Sequence, residues 1–351
     1  MLSYDVVEWG KELKRSINDT PVPAGTEVLV KVQCCGVCHS DVHLRDGYFD
    51  LGGGKKFVFG ERGVTLPMTL GHEIFGTVVA VGPDAVEARV GEKRIVYPWI
   101  GCGNCAACAA GNDNLCATGR SIGVSRRGGY ADHVLVPHPR YLVDAQGLDP
   151  ALAGTLACSG ITTYSAIGKL MPFADDDWIA ILGAGGLGLL SISILQAMGH
   201  KKIVVIDIDA NKFPAALAAG AAHAVDARDA KAATKQLREV SGGGLAGAID
   251  FVGATETATL GIAALKKGGG YVAVGLFGGE IPLSLVSLVQ RAIRIEGNYV
   301  GTVQDLKDMV ALAKSGKLKS IPIEKRPLAD VEKTLAELKA GKILGRVVVE
   351  A

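Results

Sequence analysis

The chain lacks an excess of charge of either sign. Lys and Arg number 37 and Asp and Glu 36, for a net charge of +1, so nothing in the balance points to nucleic acid or a membrane surface as partner. Long apolar runs are missing too: each is broken by glycine or charge well short of a bilayer span. Met1-Leu2-Ser3-Tyr4-Asp5 has no basic segment leading into an apolar one, so no secretory signal is expected. There is no internal repeat and no low-complexity tail. A cytoplasmic location is the expectation, and in a reducing compartment the eight cysteines need a use other than disulfides.

At 351 residues, 48% hydrophobic and 21% charged, the chain has room for two or three globular domains. Its first 150 residues read as short strands and turns. Val28, Val30 and Val32 alternate on one face, Ile74–Gly82 and Arg94–Tyr97 are strand-like, and Ala131–Val136 and Tyr141–Val143 follow. Residues 46–66, rich in glycine, read as a long connection, either functional or a tolerated surface insertion. From about residue 160, continuous apolar runs (178–182, 203–206, 248–252, 271–274) alternate with helical stretches, the mark of a parallel sheet covered on both faces. Leu328, Val331, Leu335 and Leu338 recur at helical spacing, and Arg346–Val349 closes the chain as a strand.

Cys102, Cys105, Cys108 and Cys116 lie within fifteen residues. Four thiolates in a short loop can close a tetrahedral shell around zinc, leaving no open position, which makes such a site structural. An iron–sulfur cluster is the rival, although the short final spacing followed by proline is absent. A disulfide pair fits a reducing compartment badly.

A second group is more reactive. Gly36-Val37-Cys38-His39-Ser40-Asp41-Val42-His43 packs a thiol, two imidazoles, a hydroxyl and a carboxylate into eight residues. With His72 of Gly71-His72-Glu73, and Cys158, it supplies the three ligands that a catalytic zinc takes while keeping one position open. Taken singly, Cys158 reads better as a buried structural thiol, and His72 reads also as a turn histidine and Glu73 as a surface carboxylate. Gly183-Ala184-Gly185-Gly186-Leu187-Gly188 follows the strand 178–182 and precedes a helix 187–198, the context of a dinucleotide-binding loop. Gly183 permits the tight turn, Gly185 the approach of a pyrophosphate, and Gly188 close helix–strand packing. Asp207, nineteen positions after Gly188, ends the next strand. A carboxylate there binds ribose hydroxyls and repels a 2′-phosphate, which favours NAD over NADP.

These segments occur in an order that resembles the zinc-dependent alcohol dehydrogenases of the medium-chain dehydrogenase/reductase superfamily, along essentially the whole chain. The resemblance implies a GroES-like, β-rich catalytic domain over residues 1–157, with a structural zinc lobe at about 99–116. It further implies a doubly wound, Rossmann NAD-binding domain over 158–299 and a return to the catalytic domain over 300–351. Cys38, His72 and Cys158 are then ligands of a catalytic zinc, Glu73 the carboxylate behind it, and Asp41 the partner that orients His72. Ser40 and His43 form a proton relay. His39 lies near the cofactor pyrophosphate, as does Arg346, for which an edge-strand charge is the alternative. Lys212 assists Asp207 at the ribose, or is a plain surface lysine. Gly186 and Leu187 belong to the loop, Thr162 packs on the nicotinamide, and Val252, Val274 and Val300 meet the cofactor through backbone or apolar surface.

The function implied is reversible oxidation of a primary or secondary alcohol with NAD, using two zinc ions per subunit. Alternatives are a polyol or cyclic alcohol as substrate, or a non-catalytic zinc- and NAD-binding protein. Tyr48, Trp99 and Leu276 are pocket-wall candidates by position. A homo-oligomer is expected, a tetramer or else a dimer. Cys34 and Cys35 receive no role.

Overall fold

The computed structural model describes residues 1–351. Two sheets organise the chain. The first has seven strands, in the order Leu142–Asp144, Lys93–Val96, Glu73–Val81, Val28–Gly36, Arg346–Glu350 and Ile323–Pro327, with His133–Val136 also pairing Val28–Gly36. Its central strand, Val28–Gly36, is interrupted by register shifts at Leu29/Val30 and Val32/Cys34, the bulges that let a sheet curl. Its far end delivers Gly36 to the reactive segment. The last strand of the chain lies antiparallel beside that end, with Val348 opposite Gly36, so Arg346 arrives next to the Cys38 turn.

The second sheet is parallel and has six strands. Spatially they run His223–Asp226, Ile203–Asp207, Ile179–Leu182, Leu245–Asp250, Leu265–Ala273, Arg294–Gly297. This is the doubly wound order 3-2-1-4-5-6, whose ligand crevice opens at the carboxyl ends of the first and fourth strands. Ile179–Leu182 is buried on both faces, as a central parallel strand must be. The Gly186–Ala197 helix covers it. The architecture is the α/β one expected, a Rossmann sheet beside a β-rich domain. No helix is long and apolar enough to cross a membrane.

Residues 46–66, the long connection of the sequence reading, carry structure of their own. They contain a hairpin, Tyr48–Asp50 paired with Lys56–Val58, and a 3₁₀ turn at Gly60–Arg62. Phe49, Phe57 and Phe59 pack edge to face, with ring centroids 4.9 Å apart for Phe49–Phe59 and 5.8 Å for Phe57–Phe59. The strands are only three residues long, so this aromatic cluster rather than the ladder holds them. At the tip, a Cβ added to Gly278 would lie 2.8 Å from the Asp50 Cβ, and one on Gly52 3.2 Å from the Gly279 backbone. The hairpin therefore reaches from the first domain to the second.

Candidate active site and metal centres

Cys38 is the N-cap of the His39–Asp46 helix. Asp41, three residues on, turns back so that its Oδ2 accepts the Cys38 N–H at 3.0 Å, the carboxylate half of a capping box. The same carboxylate accepts the Gly71 N–H at 3.2 Å, approaches His72 Nδ1 at 3.2 Å and accepts the Tyr130 hydroxyl at 2.9 Å. Asp41 is fully buried, yet four partners satisfy it. Bonded at Nδ1, His72 directs Nε2 the other way, and that atom is buried without a partner. A buried, unpartnered imidazole nitrogen is costly unless something absent here completes it.

The sulfurs of Cys38 and Cys158, the His72 ring and the Glu73 carboxylate offer ligand atoms all within 4.8 Å of one another. Cys158 arrives on one π-helical turn, Leu156–Gly160, inserted between two short helices, a distortion that recurs at functional sites. That turn gives the Ser159 N–H to Glu73 Oε1 at 3.2 Å, while Arg346 Nη2 holds Oε2 at 2.5 Å. Burial pushes the Glu73 carboxyl up to about 7 against the opposing pull of Arg346. Cys38 is held well below the ordinary thiol range, chiefly by its hydrogen bond with Cys158, with His72 adding to it. Burial would depress the His72 imidazole, but the charge and hydrogen bond of Asp41 keep it well above its ordinary range. Two sulfurs, one imidazole nitrogen and a nearby carboxylate are a donor set suited to zinc. Gly36 makes the room: a Cβ there would fall 2.0 Å from Glu73 Oε2.

Ser40 and His43 sit three residues apart on one helix, hence on one face. No hydrogen bond joins them. His43 is half-buried, its ring 5.2 Å from that of Phe49 on the hairpin, and burial lowers its pKa. His39 keeps an exposed edge; the protein on its other side lowers its pKa, and Arg346 and Lys212 add to that.

The glycine loop lies beside this cluster. Gly183 has φ +97°, and a Cβ on Gly188 would sit 1.8 Å from the Gly183 carbonyl oxygen. Around Gly185 a Cβ would meet nothing within 4 Å, so the first turn of the Gly186–Ala197 helix faces open space with no side-chain cap, an arrangement that accepts anions. Gly186 has a reason the sequence did not suggest: its Cβ would strike Arg346 Cδ at 2.3 Å. Arg346 is buried, with strands on both sides, which corrects the edge-strand alternative. It touches the glycine loop and Glu73 together. Asp207 accepts the Ala184 N–H at 2.7 Å and lies 3.3 Å from Lys212 Nζ, so Lys212 is a partner of Asp207 and not a free surface charge.

Val252 closes over Gly183, where a Cβ would meet its Cγ2 at 2.9 Å. Val274, Leu276 and Tyr299 line a cavity of about 630 Å³ together with Asn114, Leu115 and Asn298. Thr162 is buried with Oγ1 unpartnered. Val300 has φ +49°, a strained conformation for a β-branched residue. Trp99 is buried, its ring 5.5 Å from His72 and 5.7 Å from Tyr299. Tyr48 lies under the Lys56 ammonium at 3.7 Å, outside that cavity. Tyr130 and Asn298 escaped the sequence reading because a lone tyrosine and a lone asparagine carry no spacing signal.

In the lobe, Cys102, Cys105, Cys108 and Cys116 form the other compact donor group. Their sulfurs are 3.5 Å (105–108), 3.8 Å (105–116) and 4.0 Å (102–108) apart. A zinc tetrahedron with bonds of about 2.3 Å has edges of about 3.8 Å. All eight cysteines are free thiols. Cys34, whose thiol donates to the Pro150 carbonyl at 2.9 Å, and Cys35 are both buried, and burial raises both pKa values, that of Cys34 to about 12.

Comparison with known proteins agrees. The family described as alcohol dehydrogenase GroES-like domain matches residues 24–146, and zinc-binding dehydrogenase matches 186–315. An NAD-dependent alcohol dehydrogenase of Sulfurisphaera tokodaii is 35% identical over 99% of both chains. The chain belongs to the zinc-type, medium-chain alcohol dehydrogenases. It is thus an enzyme of the NAD-dependent alcohol dehydrogenase kind, and the non-catalytic reading falls away. Among solved structures, the alcohol dehydrogenase of Aeropyrum pernix has a TM-score of 0.89 at 29% identity and full coverage of both chains. The D-arabinose dehydrogenase of Sulfolobus solfataricus has 0.84, also at 29%, covering 100% of this chain and 99% of that one.

Proposed function

We propose that this alcohol dehydrogenase reversibly oxidises a primary or secondary alcohol to an aldehyde or ketone, with hydride passing to NAD. The observation that carries the proposal is the buried convergence of Cys38, His72 and Cys158 around an unpartnered His72 Nε2. In this reading those three residues hold a catalytic zinc, and Cys102, Cys105, Cys108 and Cys116 hold a structural one. The catalytic ion, when bound, supplies a Lewis acid to a hydroxyl or carbonyl oxygen. Asp41 fixes the His72 tautomer and ring plane by its bond at Nδ1. Glu73 stands behind the ligands, held by Arg346 and the Ser159 N–H. Ser40 receives the proton of the alcohol and His43 returns it to solvent. A lowered pKa leaves the His43 imidazole neutral at physiological pH and able to accept.

Gly183, Gly185, Gly186, Leu187 and Gly188 would hold the NAD pyrophosphate, with His39 and Arg346 supplying positive charge. Asp207 and Lys212 would bind the adenine ribose. Thr162, Val252, Val274 and Val300 would close on the adenine and nicotinamide ends. Asp207→Ala should lower the NAD to NADP ratio of kcat/KM at least about tenfold.

A polyhydroxylated substrate is the second reading. It is supported by the likeness to a D-arabinose dehydrogenase. Self-association belongs to the proposal, a tetramer or else a dimer, given the unpaired edge of the Arg294–Gly297 strand and exposed Leu285, Val286 and Val289; light scattering tests it. The deciding experiment follows NADH formation with primary, secondary, cyclic and polyol substrates, with NADP in parallel, before and after chelation. Turnover with NAD that chelation abolishes supports the proposal. A metal-replete, NAD-binding protein inert to the whole panel contradicts it.

A further inference from the structure

The four-cysteine lobe does more than hold itself together. Its last turn, Asp113–Leu115 followed by Cys116, is pinned at both ends. Buried Asp113 accepts the Tyr141 hydroxyl and an Arg140 N–H, each at 2.9 Å. Cys116 belongs to the sulfur cluster and accepts the Cys102 N–H at 3.3 Å. Between these anchors Asn114 points out of the lobe, and its Nδ2 donates to the Tyr299 carbonyl at 2.9 Å.

The receiving segment is the strained one. Tyr299 precedes Val300, whose φ of +49° no β-branched residue adopts unaided. Such a backbone persists only where its surroundings fix it. Asn298 Nδ2 bonds the Thr162 and Val300 carbonyls at 3.1 Å, and the Tyr97 hydroxyl bonds the Gly301 carbonyl at 2.8 Å. The donor to the carbonyl just before Val300, that of Tyr299, comes from the lobe. The Tyr299 ring then leans on Trp99, which leans on His72. Asn114, Leu115, Asn298 and Tyr299 share one cavity wall.

We infer that Asn114 is a positioning residue through which the four-cysteine lobe sets the conformation of Tyr299–Val300, and with it the fit of cofactor and substrate. This rests on the reading of the cleft as an NAD and alcohol site. It gives the lobe a role in binding as well as in local stability.

The test is a double-mutant cycle of Asn114→Leu and Val300→Gly, read by NADH binding in the absence of substrate, by steady-state kinetics and by thermal melting. Leucine keeps the bulk and removes the donor. Asn114→Leu should raise the NADH Kd and the alcohol KM about fivefold or more, with kcat within about twofold and the melting temperature nearly unchanged. In Val300→Gly the same change should shift the Kd less than about twofold, because glycine takes the left-handed conformation without a tether. An Asn114→Leu variant that binds NADH like the wild type overturns the inference, as do independent effects of the two substitutions. So does a fall in melting temperature and kcat at constant Kd, which marks a merely structural role. Failure of the wild type to bind NADH overturns the functional reading itself and this inference with it.

Discussion

Two alanines in one loop should have opposite signatures. At Gly188, inside a helix, propensity alone favours alanine by about 1 kcal/mol. The geometry says otherwise, because the new Cβ would lie 1.8 Å from the Gly183 carbonyl oxygen, roughly half a normal contact distance. The helix must lift off the strand Ile179–Leu182, and overpacking of that kind costs about 3 kcal/mol or more. The clash outweighs the propensity, and the melting temperature should fall by roughly 5–10 °C. At Gly185 the new methyl meets nothing, and φ of −79° suits any residue, so stability should stay within about 0.5 kcal/mol. That methyl would occupy the cradle in front of the helix N-terminus. Loss of one charge-assisted hydrogen bond there, about 1.5–3 kcal/mol, raises the NADH Kd about 10- to 100-fold. Circular-dichroism melts and NADH fluorescence titrations read both variants. A Gly188→Ala protein as stable as the wild type would mean that the helix need not pack so closely on the strand, and a Gly185→Ala protein with unchanged NADH affinity would mean that the pyrophosphate does not lie there.

Tyr130→Phe removes one of the two donors to Asp41 Oδ2 and loosens His72; competition with a chelator should strip the catalytic metal about tenfold more readily, and equal retention would exclude Tyr130 from the support of the site. Because burial, with His39 adding to it, lowers the His43 pKa, the wild type keeps a neutral imidazole into mildly acidic solution. His43→Gln should therefore lose most turnover on the acid side of neutrality, whereas in alkaline solution water takes the proton unaided; superposable pH–rate profiles would remove the relay. Gly278→Ala places a Cβ at a φ of +94° and 2.8 Å from Asp50, so it should detach the hairpin tip. Amide exchange over residues 50–56 should then quicken and the alcohol KM rise, while unchanged exchange would mean that the tip contact holds nothing.

The fold class was legible because it rests on periodicity. The doubly buried strands of the parallel sheet read as apolar runs, and the glycine loop stands where a strand gives way to a helix. The two donor clusters were legible as residue types, Cys38 and His72 in motifs and the four lobe cysteines by spacing, whereas Cys158 joined its set only through the family resemblance. What stayed hidden depends on contacts distant in sequence. The hairpin at 48–58 has three-residue strands around Gly52-Gly53-Gly54, too short to show alternation, and an aromatic cluster stabilises it. Tyr130 reaches Asp41 across 89 residues and Arg346 reaches Glu73 across 273. The need for glycine at 186 arises from a strand 160 positions later. The first two follow from how the first sheet and its loops pack, the third from how the two sheets meet, and no local window contains either.

The proposed chemistry depends on Cys38, His72 and Cys158 holding a zinc ion in the cleft that also takes NAD. Anomalous diffraction at the zinc edge, on crystals of protein purified without chelators, tests it most directly. Two peaks per chain are expected. One lies about 2.3 Å from the Cys38 and Cys158 sulfurs and about 2.0–2.1 Å from His72 Nε2, the other at the centre of the four-cysteine lobe. A metal-replete crystal with a peak in the lobe alone, and none between Cys38, His72 and Cys158, would contradict it.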